Sequence, residues 1–148
     1  MTYLSTKTYG PELGLSACFR QWRADSHCNK LHGYALSFRF VFEAQELDDR
    51  NWVVDFGGLK GLKRALQDYF DHKTVVAMDD PKLGAFDALD KMELADVIYL
   101  DAVGCEKFAE LAYNLAVGEI ETLGLIGRVQ VVEVECKEHG ANSAIYRP

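Results

Sequence analysis

From Tyr34 onward every second residue is large and apolar: Tyr34, Leu36, Phe38, Phe40 and Phe42 fall on one side of an extended chain, with Ala35, Ser37, Arg39 and Glu43 on the other. That period belongs to a β-strand with one buried face, whereas a helix would scatter the same residues around its circumference. The segment sets the frame, because other elements must cover its aromatic row. Directly before it, Ser26-His27-Cys28-Asn29-Lys30-Leu31-His32-Gly33 places one thiol and two imidazoles close together at the mouth of the strand. A cysteine becomes a useful base or nucleophile when a neighbour lowers its pKa or takes its proton, and the two histidines and Lys30 are of the right type. Spacing alone leaves two readings: a polar loop leading into a strand, or a chemical site.

With 148 residues, 49% of them hydrophobic and 26% charged, the chain has enough apolar material for one core, and we expect one domain over residues 1–148. A net charge of -7 excludes a general nucleic-acid binder, which presents a basic face to phosphates. An anionic ligand must be met locally, and the basic loop holding Arg20, Arg23 and Lys30 is the candidate. The start, Met1-Thr2-Tyr3-Leu4-Ser5-Thr6-Lys7, lacks the pattern of a signal peptide, and no long uninterrupted apolar run follows. The expectation is a cytoplasmic protein with no membrane partner. Cys18, Cys28, Cys105 and Cys136 form no CxxC pair, so free thiols are expected, with Cys18 and Cys136 as small core residues on strands.

Along the chain, Leu13–Arg20 reads as a strand after the Gly10-Pro11 turn, and Trp22–Leu31 is polar and irregular. Asp55 reads as a helix N-cap, followed at helical spacing by Leu59, Leu62, Leu66, Tyr69 and Phe70. Gly57, Gly58 and Gly61 weaken this helix by roughly 1 kcal/mol each in a helix interior, which suggests close packing against a sheet. Thr74–Ala77 is short and extended, residues 79–93 make a surface helix without strong periodicity, and Val97–Leu100 is another short strand. A second long helix carries Phe108, Leu111, Ala112, Leu115 and Ile120 and closes at Gly124. Residues 128–137 and 141–146 alternate as strands around a turn at His139-Gly140. Strands at both ends with helices between predict an α+β fold: a four-stranded antiparallel sheet with two helices on one face. Val41 makes the opposite face partly apolar, which predicts cover by a second subunit.

Four separated pieces carry a resemblance: Cys28-Asn29-Lys30-Leu31-His32-Gly33, Val54-Asp55-Phe56, Phe70-Asp71-His72, and Lys137-Glu138 with Ala144-Ile145-Tyr146. In order and spacing this set resembles the 6-pyruvoyl-tetrahydropterin synthase and 6-carboxytetrahydropterin synthase family, with residues 78–98 as the main excess. The resemblance implies a tunnelling fold in which sheets join into a barrel in a homo-oligomer with active sites between subunits. It implies Cys28 as proton-transfer group, Asp71 and His72 as an assisting pair, Glu138 as anchor of the pterin ring, and Glu106 near the pterin. For Asp71-His72 the alternative is helix termination, with His72 and Lys73 at the negative end of the dipole. For Glu106 it is charge stabilisation of a helix start. Glu138 also reads as an ordinary exposed carboxylate ending a strand.

The implied zinc site departs from the pattern. Its three histidines correspond to Phe19, His32 and Tyr34, so only His32 remains as a metal ligand. Phenylalanine cannot bind metal, and tyrosine is a poor substitute for imidazole on zinc. A site rebuilt from His27, His32 and Cys18 or Cys28 is the alternative, although Cys28 would then not be a free base. Zinc is therefore not expected at full occupancy. Two functions stand: a lyase acting on 7,8-dihydroneopterin triphosphate to give a 6-carboxy product on a deazapurine (queuosine-type) route or a 6-pyruvoyl product, and a pterin-binding protein that has lost turnover.

Overall fold

In the computed structural model, which describes residues 1–148, the order is β1 (Tyr3–Tyr9), β2 (Leu15–Phe19), β3 (His32–Ala44), α1 (Lys60–Phe70), β4 (Lys73–Ala77), α2 (Leu83–Lys91), β5 (Val97–Leu100), α3 (Cys105–Thr122), β6 (Val129–His139) and β7 (Asn142–Tyr146). The aromatic row is the inner face of β3, where Leu36, Phe38, Phe40 and Phe42 are fully buried. One edge of β3 pairs antiparallel with β6. The other is shared, by β2 along His32–Leu36 and by β1 along Phe38–Ala44.

The cover is made by α1 and α3. Leu62, Leu66 and Phe70 recur every four residues on α1, and α3 contributes Phe108, Ala109, Ala112, Ala116 and Ile120. Phe70 joins sheet to helix, with ring centroids 5.1 Å from both Phe38 and Phe108. Each buried Leu, Ile or Phe among these contributes about 1.5–3 kcal/mol. Gly61 allows a close approach, but to α3 and not to the sheet: any side chain there would collide with the Glu119 carboxylate. Asp55 caps a short 3-10 turn, accepting from the Gly57 amide at 3.0 Å, and α1 itself starts only at Lys60.

The expected four-stranded antiparallel sheet is corrected to seven strands of mixed direction, in the order β5-β4-β2-β3-β6-β7 with β1 on β3. β1 escaped detection because its Ser, Thr and Lys positions leave most of it exposed. The extended pieces around residues 74–77 and 97–100 join the sheet in parallel, β4 beside β2 and β5 beside β4. A parallel pair needs a crossover, and α2 is that crossover. It packs on the face opposite α1 and α3, where Val76, Phe86 and Val97 form a second small core while Val75 and Ala77 point into the main one. The 78–98 segment is thus the cover that a parallel pair requires on both faces.

Elsewhere the outer face of the sheet is polar. Arg39 reaches Glu133 at 2.8 Å and Glu135 at 3.3 Å, and Arg147 holds Glu133 at 2.6 Å. Val41 is already buried within the chain, while Leu4 and Ile145 on the same face remain exposed. No helix is long and apolar enough to cross a membrane.

Candidate functional site

The end of β2, the start of β3, the end of β6 and the first turn of α3 meet at one mouth of the core. The β2–β3 register sets Phe19 opposite His32 and Ala17 opposite Tyr34, all on the inner face. Phe19 is 1% exposed, with its ring 5.0 Å from Phe108, 5.6 Å from His32 and 6.2 Å from Tyr34. His32 and Tyr34 stand edge to face at 5.4 Å, and His139 closes on Tyr34 at 5.9 Å. The His32 Nδ1–H donates to the Lys30 carbonyl at 2.7 Å; a carbonyl only accepts, so the tautomer is fixed and Nε2 is left free. Burial, then the charges of Glu138, Cys28 and Cys105, push the Tyr34 hydroxyl above its ordinary pKa. Tyr34 is therefore a neutral donor at the centre of this group.

Cys28 sits in a 3-10 turn, His27–Asn29, started by Ser26, whose hydroxyl accepts from the Cys28 amide at 3.3 Å. Its carbonyl accepts from the Gln21 amide at 3.0 Å. The Gln21 side chain in turn donates to the Val103 carbonyl at 2.9 Å, which ties the loop to the approach to α3. The basic loop expected to hold phosphate is largely neutralised. Arg20 forms a two-pronged pair with Asp80 at 2.6 and 2.8 Å, and Arg23 pairs with Asp79 at 3.3 Å. Lys30 alone has no acidic partner. Sequence reasoning missed this, although Arg20 follows one strand and Asp79-Asp80 follow another, a placement that puts opposite charges side by side if the strands are parallel neighbours.

Glu138 lies at the register shift near the end of β6, half-buried, with no hydrogen bond or ion pair of its own. It borders a cleft of about 610 Å³ together with Tyr34, Ser37, Arg39 and His139. Glu106 is exposed in the first turn of α3, where the helix dipole favours its charge. Between the two carboxylates, Cys136 donates to the Cys105 sulfur at 3.9 Å. That hydrogen bond, burial, and the nearby Cys105, Glu138 and Glu106 charges hold the Cys136 thiol firmly protonated. Cys136 is a core residue as expected, Cys18 is not, being only half-buried on β2 with its sulfur 3.2 Å from the Thr74 hydroxyl, and all four cysteines are free thiols.

Asp71 and His72 do converge with each other but not with Cys28. His72 Nδ1 donates to Asp71 Oδ1 at 2.6 Å, and its side chain is 88% exposed. The pair precedes β4, whose Lys73 is in register with Ala17 of β2. The Cys28 turn follows the other end of β2, beyond Phe19, and the hydrogen bonds of the Asp71–His72 pair do not reach it. The pair also ends α1: the Asp71 amide donates to the Gln67 carbonyl, and His72 takes a left-handed φ of 56°.

The donor set does not fit a three-histidine zinc site. The first position is the buried hydrocarbon ring of Phe19, and the third is a phenol inside an aromatic cluster. No group of three His, Cys, Asp or Glu side chains is placed to hold a metal, so His27, His32 and Cys18 or Cys28 do not combine into a rebuilt site.

Comparison with known proteins places this geometry in context. The chain is 24% identical over 136 residues to a 6-carboxy-5,6,7,8-tetrahydropterin synthase of Aquifex aeolicus, covering 90% of this chain and 84% of that protein. A Rickettsia conorii protein of the same description is 33% identical over 58 residues, 38% of this chain and 42% of that one. In fold, an uncharacterized Wolinella succinogenes protein superposes with a TM-score of 0.82 at 21% identity, covering 99% of this chain and 98% of the other. The 6-pyruvoyl tetrahydropterin synthase of Plasmodium falciparum superposes with a TM-score of 0.72 at 15% identity and the same coverage. The profile described as 6-pyruvoyl tetrahydropterin synthase matches residues 12–148, nearly the whole chain, and the chain belongs to that family.

Proposed function

We propose that the protein is a pterin-synthase-type lyase acting on 7,8-dihydroneopterin triphosphate, giving a 6-carboxy product on a cytoplasmic deazapurine route or a 6-pyruvoyl one. The observation that carries this reading is Glu138: a half-buried carboxylate without a partner, on the cleft beside Tyr34. Its two oxygens have no partner within the chain, and two parallel acceptors match the amino group and ring N–H of a pterin. Glu106 is the second contact to the ring. Cys28 moves the side-chain proton, and the neutral Tyr34 hydroxyl donates to the oxygen on which charge develops. Lys30 is the cation left to meet phosphate.

The Asp71–His72 pair then comes from a neighbouring subunit of a homo-oligomer. Supporting this are the unpaired outer edge of β1, the exposed Leu4 and Ile145, and an apolar groove of about 460 Å³ between Tyr3, Leu4, Trp52 and Phe56. The groove holds little chemistry, so it is read as a contact surface. Incubating metal-analysed protein with 7,8-dihydroneopterin triphosphate and identifying the product tests the proposal. Turnover lost in Cys28→Ala with pterin affinity kept within a few fold supports it; unchanged turnover in that variant sinks it. Glu138→Gln should act on binding, because an NH₂ facing the pterin donors costs about 1–3 kcal/mol. The second reading, a pterin-binding protein without turnover, is favoured by Phe19 and Tyr34 at the metal positions, and binding without product would establish it.

A further inference from the structure

The loop from Arg20 to Leu31 leaves β2 and returns as β3, and it carries Cys28. In the metal-bearing pattern a cation would cross-link residues 19, 32 and 34 and so hold both ends of this loop. Here Phe19, His32 and Tyr34 meet only ring to ring. The strongest contacts on the loop lie elsewhere. Arg20 Nε and Nη2 donate to Asp80 Oδ2 and Oδ1 at 2.8 and 2.6 Å, and Nη1 donates to the Asn29 carbonyl at 3.0 Å. One guanidinium therefore spans the buried Asp80, in the turn after β4, and the residue next to Cys28. Asp80 is built to receive it: its side chain is 1% exposed, and Oδ1 also accepts from the Lys82 amide at 2.8 Å. Beside it, Trp22 Nε1 donates to Asp79 at 3.1 Å, with the Arg23 guanidinium stacked on the indole at 4.1 Å.

We infer that the Arg20–Asp80 pair is a metal-free staple that positions Cys28, with Asp80 and the β4–α2–β5 segment doing the work of holding the loop. Planar bidentate pairing fixes direction as well as distance, which a single point charge does not. Arg20 and Asp80 are positioning residues, since neither faces the cleft. The importance of Cys28 rests on the functional reading above; the staple itself does not.

The test is the rate at which iodoacetamide alkylates Cys28, followed by peptide mass mapping, with the two buried thiols Cys105 and Cys136 as internal controls. Alkylation of a half-buried thiol reports how often its turn opens. Asp80→Asn and Arg20→Lys should each speed Cys28 alkylation about tenfold, Asp80→Glu should recover most of the protection, and dialysis against a chelator should change nothing. In turnover, Asp80→Asn should lower kcat about tenfold with KM nearly constant, as expected for a misplaced group. A wild-type alkylation rate in folded Asp80→Asn, or acceleration by the chelator, overturns the inference. If Asp80→Asn does not fold, Arg20→Lys and hydrogen exchange of the wild-type Gln21 amide decide: protection of that amide, lost in Arg20→Lys, supports the staple, and fast exchange in the wild type refutes it. Alkylation needs no pterin, so turnover that survives Cys28→Ala would sink the functional reading and leave this result untouched.

Discussion

His72 donates its Nδ1–H to Asp71 at 2.6 Å from a backbone held at φ 56°. A non-glycine residue in this region carries about 1–2 kcal/mol of strain, and glycine or asparagine is the usual choice after a helix C-terminus. Strain kept where a ring and a carboxylate meet points from the outlier to function. His72→Gly should therefore stabilise the fold by about 0.5–1 kcal/mol in denaturant unfolding, because relief of strain exceeds the added freedom of the unfolded chain. It should also remove turnover. A loss of stability above that size would mean that the imidazole–carboxylate bond serves the fold.

Phe19 tests the metal question from the packing side. Its ring fills a closed site against Phe108, so Phe19→Ala should cost about 3–5 kcal/mol. Restoring imidazoles with Phe19→His and Tyr34→His should lower the melting temperature without metal and let added zinc raise it again, since a ligand bound only by the folded state stabilises it. Zinc or chelator should leave the wild-type melting temperature unchanged. A wild-type shift with zinc would show a donor set other than the one described.

Sequence patterning reached the parts of the molecule whose physics is local. The period-two row from Tyr34 to Phe42, the fourfold spacing of Leu62, Leu66 and Phe70, and the end of α1 at Asp71-His72 all follow from neighbours in the chain. β1 did not, because an edge strand needs no buried row and Ser5, Thr6 and Lys7 carry little pattern. β4 and β5 were seen as extended pieces but could not be placed, since parallel pairing joins segments through a crossover that short apolar runs do not specify. The site divides the same way. Cys28, His32 and Glu138 were legible as residue types in order, whereas the Arg20–Asp80 pair and the separation of Cys28 from His72 depend on which strands are neighbours.

Asp80 also gives the fold a pH signature. Hydrogen bonding to Arg20 holds its carboxyl below the ordinary aspartate value, with the Lys82 amide adding to this against the cost of burial. A carboxyl with a depressed folded-state pKa contributes stability that is fully present above its unfolded value, about 3.9, and is lost as pH falls through the folded one. Unfolding free energy should thus fall as pH drops below about 4, and part of that slope should vanish in Asp80→Asn. An identical slope in the variant would remove Asp80 as a source of acid lability.

On the proposed reading of a site shared between subunits, Cys28 and His72 come from different chains. Cys28→Ala and His72→Ala should each be inactive alone, yet a mixture unfolded and refolded together should recover activity. With equal amounts and random assembly, about one site in four takes an intact Cys28 from one chain and an intact His72 from another, so about a quarter of wild-type activity should return. Mixing without refolding should restore less if subunits exchange slowly, and that control separates assembly from trace contamination. The arithmetic differs for a site within one chain: every chain then lacks one group, and no mixture regains activity. Homo-oligomers that form on refolding, by sedimentation, and show no recovery would reject the shared site while leaving the roles of Cys28 and Glu138 open to their own variants.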